Sequence, residues 1–298
     1  MTVLTLVAAA DADLLSAETA QTARDLLLAQ GKDVLQVNRL GDKAVDLMIN
    51  GDAEIERAAL DRLLEIHRCD WAAQPLEHRA KSLLIADMDS TIIKGESLDD
   101  VAALAGIGPA IAAITDRAMR GELDFAQALA ERLSLLADEP VSLFETVLAG
   151  LELSPGAQTL VATMRQNGAY CALVSGGLEP LVGSVAKQLG FHECHANGLD
   201  IANGRLTGKV KEPVFGPDGK RETLRRLVKA RGIGLDDTLA VGDGANDIPM
   251  LRDAGLGVSY HGKPATVAAA NHQIRFGDLT TLLYFQGFRP AEFVTPTD

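Results

Sequence analysis

Three short, largely apolar runs in the chain each end on residues that can do chemistry. Residues 83–86 (LLIA) run into Asp87, residues 169–174 (AYCALV) into Ser175, and residues 238–242 (TLAVG) into Asp243. A fourth run, 255–258 (GLGV), follows. Uninterrupted apolar runs of this length suit strands buried on both faces, as in a parallel sheet. Helical spacing fills the intervals at about 156–167, 178–190, 219–231 and 244–253. Strands alternating with helices predict a doubly wound α/β sheet. Such sheets bind ligands outside the carboxyl ends of their strands, which is where the three chemical residues fall.

Between the first two of these strands lie roughly 80 residues, far more than a strand-to-helix connection needs. Segments 97–105, 109–120, 124–137 and 140–148 all read as helices, so the stretch at about 95–155 is expected to be an inserted helical cap. Asn203-Gly204, between alternating segments at 198–202 and 205–210, signals a β-hairpin. With 298 residues the chain exceeds the usual size of a single core, and two domains are expected. Residues 1–75 show strands at 3–9, 33–39, 43–49 and 69–75 with helices at 13–30 and 53–66. That βαββαβ order predicts a small ACT-like α+β domain, regulatory or structural, with a homodimer as one use of it. The polar stretch 74–82 reads as a linker, and residues 76–298 as the second domain with its cap. Residues 283–287 (LYFQG) resemble part of an engineered protease site, yet they continue a helical run and read as native.

A formal net charge of −13 argues against nucleic-acid binding, which needs clustered Lys and Arg. It also repels anionic substrates at long range, so such a substrate would need local cations, from side chains or a metal. Cys69, Cys171 and Cys194 fit no metal or redox spacing and read as reduced thiols of a cytoplasmic protein. No apolar run is long enough to span a bilayer, so no membrane partner is expected. The first ten residues lack a basic start and read as a strand.

Asp87-Met88-Asp89-Ser90-Thr91 brings two carboxylates two positions apart to one strand end. One can act as a nucleophile on phosphorus, the other as acid and then base, and the pair invites a hard cation such as Mg²⁺. The bland alternative is an Asp-rich loop or helix cap. Ser175-Gly176-Gly177 offers a hydroxyl and exposed amides to phosphate oxygens, or is only a turn. Gly242-Asp243-Gly244-Ala245-Asn246-Asp247 brings two more carboxylates, with Asp243 completing the metal set and Asp247 orienting a neighbour; the alternative is Asx-turn chemistry. Lys220, at a loop-to-helix junction, can neutralise phosphate, although taken alone it is a surface lysine. Taken in chain order, with Lys220 ahead of the Gly242–Asp247 run, the four elements on one predicted sheet compose a phosphoryl-transfer site.

These four elements resemble the motifs of the haloacid dehalogenase-like phosphatases over roughly residues 82–285. Within that superfamily DMDSTII, the GELDFAQALAERLSLL run at 121–136, VSGG at 174–177 and VGDGANDIPML at 241–251 are similar to members that act on O-phosphoserine. The resemblance implies a Mg²⁺-dependent enzyme of serine biosynthesis. In it Asp87 is the phosphorylated nucleophile and Asp89 the acid/base, its backbone carbonyl also touching Mg²⁺. Asp243 is a further metal ligand. Ser175, Gly176, Lys220 and Asn246 contact phosphate and substrate, with Thr91, Gly177 and Asp247 in support. Glu96 is implied for the substrate ammonium, Arg132 for its carboxylate, and Met119 and Phe125 for the apolar pocket wall. A planar guanidinium fork does match a carboxylate. Other readings are an enzyme for phosphothreonine, phosphohomoserine or another small phosphomonoester, and a non-catalytic amino-acid-binding regulator.

Overall fold

A computed structural model describes residues 1–51 and 55–295, with Met119 described by its backbone alone. The first part of the chain runs β1 (Thr2–Ala8), α1 (Ala17–Ala29), β2 (Val34–Arg39), β3 (Ala44–Ile49), α2 (Arg57–Ile66) and β4 (Cys69–Pro75). The βαββαβ order is therefore present. Helix α1 starts four residues later than its apolar spacing suggests, because the Ser16 hydroxyl accepts from Thr19 N at 3.0 Å and sets the start there. The expected start of the second helix, at 53, lies outside the described residues.

Next come β5 (Leu83–Ala86) and four cap helices, α3 (Ser97–Leu104), α4 (Gly108–Met119), α5 (Phe125–Ser134) and α6 (Leu143–Gly150). They are followed by α7 (Ala157–Gln166), β6 (Tyr170–Leu178), α8 (Glu179–Leu189), β7 (Glu193–Asn197) and the hairpin β8 (Leu199–Ala202) and β9 (Arg205–Val210). The chain closes with α9 (Pro217–Arg231), β10 (Thr238–Gly242), α10 (Ile248–Asp253), β11 (Leu256–Tyr260), α11 (Pro264–Ala269), β12 (His272–Ile274) and α12 (Thr281–Phe285). All four cap helices form where the sequence predicts them. Helix α5 opens on a capping box, with Asp124 and Gln127 each accepting from the other's backbone N–H.

Ten strands form one sheet in the order β2-β3-β1-β4-β12-β11-β10-β5-β6-β7. From β12 to β7 the neighbours are parallel. Strands β5 and β10 are buried along their whole length, which is why they read as unbroken apolar runs. Successive side chains point to opposite faces. Leu84, Ala86 and Leu173 accordingly enter one core and Ile85, Ala172 and Val174 another. The register aligns Ala86 with Val241 on one side and Leu173 on the other, so Asp87, Asp243 and Ser175, each one or two residues further along, come to the same end of the sheet.

The first six elements have their own core around Leu4, Leu27, Leu47, Leu60 and Leu64, but their sheet does not end at β4. Strand β4 pairs antiparallel with β12 through Trp71 and Gln273. The stretch 74–82, polar enough to read as a solvated linker, is anchored at points along it. Gln74 and Lys81 are buried, and Gln74 Nε2 donates to Phe285 O at 2.7 Å. Residues 283–287 belong to this junction, with Tyr284 and Phe285 in the core. Among the described residues no helix is long and apolar enough to cross a membrane.

Candidate active site

Asp87 is the first residue beyond β5, and its N–H continues the ladder to Val241 O at 3.0 Å. Its carboxylate is buried, with Oδ1 2.5 Å from Lys220 Nζ. Lys220, in the first turn of α9, has no solvent contact at all. Its ammonium also donates to Asp247 Oδ1 at 2.6 Å, and Asp247 Oδ2 accepts from Gly244 N at 3.0 Å. Asp87, Asp243 and Asp247 bring one carboxylate oxygen each to within 4.8 Å of one another.

Asp89 stands apart from that cluster. Its Oδ1 accepts from Ser97 N at 2.7 Å and its Oδ2 from the Ser175 hydroxyl at 3.0 Å. Ser175 Oγ in turn accepts from Gly177 N at 2.9 Å. Strand β6 runs on to Leu178, four residues past the end its apolar run suggests, and Ser175-Gly176-Gly177 form an irregular stretch of it that holds the second carboxylate of the first motif. Thr91 is buried behind it, its hydroxyl without a hydrogen-bond partner among the described residues. Asn246 is partly exposed in the turn that leads to Asp247.

The cap supplies the opposite wall. Glu96, just before α3, accepts from the Ser90 hydroxyl at 3.1 Å. Arg132, in the last turn of α5, donates from Nη2 to Thr115 Oγ1 at 3.0 Å, while its buried Nε has no partner among the described residues. Phe125, the first residue of α5, lays its ring against Gly176 and Gly216. A Cβ on Gly176 would lie 2.8 Å from the ring and one on Gly216 3.1 Å, so the cap rests directly on the glycines of the second motif, in the last part of β6. The side chain of Met119 lies outside the described residues. A cavity of about 790 Å³ lies beside Phe125 and the 213–219 loop; of the expected site residues it takes in Phe125 alone.

Five carboxylates, those of Asp87, Asp89, Glu96, Asp243 and Asp247, gather here with two ammonium groups. One is Lys220. The other is Lys263, whose Nζ lies 3.4 Å from Asp243 Oδ2 and 3.8 Å from Glu96 Oε1. Burial, then the charge of Asp247, holds the Asp87 carboxyl well above the usual carboxylate range against the pull of Lys220. Burial, then Asp89, raises Glu96. Burial also raises Asp243, with Lys263 opposing it. Burial alone would lower Lys220, but Asp87 and Asp247 outweigh it and hold its ammonium above the ordinary range. A hard divalent cation fits this set: the donors are carboxylate oxygens, and negative charge is in excess.

Of the residues the sequence singles out, the structure brings Asp87, Asp89, Glu96, Ser175, Lys220, Asp243 and Asp247 together; Lys263, Thr115 and Ser97, which contact them or Arg132, were not singled out. Lys263 had a usable signal, because it lies just past the fourth apolar run and so at the same rim of the sheet. Thr115 had none, being a threonine in a helix whose partner lies 17 residues away.

A family model described as haloacid dehalogenase-like hydrolase matches residues 84–252. The phosphoserine phosphatase of Streptomyces coelicolor is 38% identical over 284 residues, covering 93% of this chain and 69% of that one. That of Mycobacterium tuberculosis is 41% identical over 217 residues, covering 73% of this chain, which spans 53% of the relative's length. The crystal structure of a probable phosphoserine phosphatase from Vibrio cholerae, in unliganded form, superimposes with a TM-score of 0.78 at 31% identity. It covers 96% of this chain and 86% of that one.

Proposed function

The chain belongs to the haloacid dehalogenase-like hydrolases, and from that premise we propose that it hydrolyses O-phosphoserine to serine and phosphate through an aspartyl-phosphate on Asp87. The observation that carries the reading is the gathering of Asp87, Asp243 and Asp247 within 4.8 Å of one another, with Asp87 and Asp247 both bonded to the buried Lys220; the cap adds Glu96 and Arg132. A zwitterionic amino acid needs one anion and one cation at a fixed separation, and Glu96 and Arg132 supply them. The relatives' activity on phosphoserine supports the same substrate, and with it a place as the dephosphorylating step of serine biosynthesis in the cytoplasm.

Asp87, Asp243 and the backbone carbonyl of Asp89 would hold Mg²⁺. Bound there, the ion offsets the charge of the phosphate and of the carboxylates around it. Lys220 holds Oδ1 of Asp87, leaving the other oxygen to attack phosphorus as the bond to the serine oxygen breaks. Asp89, steadied by Ser97 N and Ser175, gives its proton to that oxygen. Serine leaves, and Asp89 takes a proton from water. The water oxygen attacks phosphorus, phosphate departs, and the Asp87 carboxylate is restored. Ser175, Gly176 and Asn246 line the path of the phosphate oxygens. Phe125 against Gly176 closes the site to bulk water during transfer.

Phosphate release from O-phospho-L-serine, with Mg²⁺ and after chelation, tests the reading. Release is expected only with the metal. Asp87→Asn, which keeps the size of the side chain, is expected to stay folded and lose roughly 10⁴-fold or more in turnover. Substantial turnover by that variant would overturn the assignment of the nucleophile. Hydrolysis of phosphothreonine or phosphohomoserine in preference to phosphoserine would move the substrate and leave the chemistry in place.

A further inference from the structure

Lys263 lies in the turn between β11 and α11, over the carboxylate rim. Gly262 lets that turn come close, since a Cβ there would fall 2.0 Å from Ser259 Oγ and 3.1 Å from Asp243 O. The backbone is then tied to the Gly242–Asp247 run, with Lys263 N donating to Asp243 O at 3.0 Å. From this anchor the ammonium reaches two carboxylates from different parts of the site, 3.4 Å to Asp243 Oδ2 and 3.8 Å to Glu96 Oε1. The proposed reaction assigns each of these to an incoming cation, Asp243 to the divalent ion and Glu96 to the substrate ammonium.

The two lysines of the site differ in kind. Lys220 is enclosed and bonded at 2.5 and 2.6 Å. Lys263 is 62% exposed and its contacts are long, so each is a weak pair that solvent or another cation can replace. Its charge opposes the burial and mutual repulsion that raise both Glu96 and Asp243.

We propose that Lys263 is a resident placeholder cation. In the empty enzyme it bridges Glu96 and Asp243, and it withdraws when the divalent ion and the substrate ammonium take those carboxylates. The inference rests on the proposed roles of Asp243 and Glu96. Three cations then compete for two acids, so Lys263 steadies the empty cleft and at the same time weakens its hold on metal.

The test is a calorimetric titration of Mg²⁺ into the full chain, stripped of metal and free of substrate, with the wild type, Lys263→Gln and Lys263→Arg compared. Lys263→Gln is expected to bind Mg²⁺ about tenfold more tightly, the scale of one unit charge acting on a divalent ion a few ångströms away through water. Lys263→Arg keeps the charge and is expected to stay within about twofold of the wild type. Titration with L-serine, which carries the ammonium and no phosphate, should likewise favour Lys263→Gln. Equal or weaker Mg²⁺ binding by Lys263→Gln, beside measurable binding by the wild type, overturns the placeholder role alone. No binding by the wild type overturns the metal reading of Asp243 and the placeholder with it.

Discussion

Arg132 and Thr115 show how little of a binding group's behaviour lies in the group itself. A guanidinium on a flexible stem must be aimed before it can select a carboxylate. Here Thr115 Oγ1 donates its hydrogen to Ile111 O at 3.1 Å, one turn back on its own helix, which turns an oxygen lone pair toward Arg132 Nη2. The buried Nε of Arg132 keeps its hydrogen uncommitted among the described residues. Thr115→Val keeps the shape and removes the acceptor. If Arg132 receives the substrate carboxylate, the KM for O-phosphoserine should rise about tenfold, the worth of one hydrogen bond to a charged group, with kcat within about twofold. O-phosphoethanolamine has no carboxylate, so its hydrolysis should not change. A like loss on both substrates would assign Thr115 to the general packing of the cap. The motif residues were legible because several chemical side chains follow one another at strand ends. Thr115 was not, because its role depends on how α4 lies against α5, and no spacing within either helix encodes that.

Elements buried on both faces announce themselves, and elements that work at edges do not. Strands β5, β6 and β10 were readable as apolar runs. Strands β7 (ECHAN) and β12 (HQI) were not, since one is a polar edge strand and the other a three-residue bridge. Yet β12 is the seam that joins the two parts of the sheet, and His272 sits in it. Its Nε2 lies 3.1 Å from Ala73 O on β4, its ring meets Trp71 edge-on at 6.3 Å, and its Nδ1 has no partner among the described residues. Burial, then the charge of Arg57, pushes its pKa down to about 4. Between its unfolded value near 6.5 and about 4, the unfolded chain takes up a proton that the folded chain refuses. The stability due to neutral burial of His272 is therefore present above pH 6.5 and lost as pH falls through that window, by up to about 3 kcal/mol. Asp87, Glu96 and Asp243, whose affinity for protons is raised, act in the opposite sense, so the comparison must be made against His272→Gln. Urea midpoints of the two proteins at pH 7 and pH 5 should converge as the pH falls. A constant difference would show that the imidazole is not held neutral.

At the scale of the whole molecule, one residue in the stretch that composition assigns to a linker joins elements from both ends of the chain. Polar side chains between two apolar segments look solvated in a sequence, because the sequence does not show which partners will meet them. Arg79 meets five acceptors. Its Nη1 and Nη2 form a fork on Asp46 of β3 at 2.7 and 2.6 Å, and Nη2 also donates to Thr5 Oγ1 of β1 at 2.9 Å. Nη2 and Nε reach the carbonyls of Tyr284 and Phe285 in α12 at 3.2 and 3.1 Å. One largely buried guanidinium thus ties the first module to the last helix of the catalytic part. Asp70 of β4 adds a second tie, accepting from the backbone N–H of Arg275 at 2.8 Å and of Gly277 at 2.7 Å. A module held by a shared sheet and by charge-assisted bonds of this kind should not unfold separately. Trp71, the only tryptophan in the chain, stands at the seam and reports on it directly. Its fluorescence and the phosphatase activity should be lost at the same urea midpoint. Arg79→Met leaves Asp46 buried without its cation and should cost about 3 to 5 kcal/mol, moving both midpoints together. If Trp71 fluorescence changed well before activity fell, in the wild type or the variant, the first module would be a separable attachment, and its role would have to be sought apart from the stability of the catalytic part.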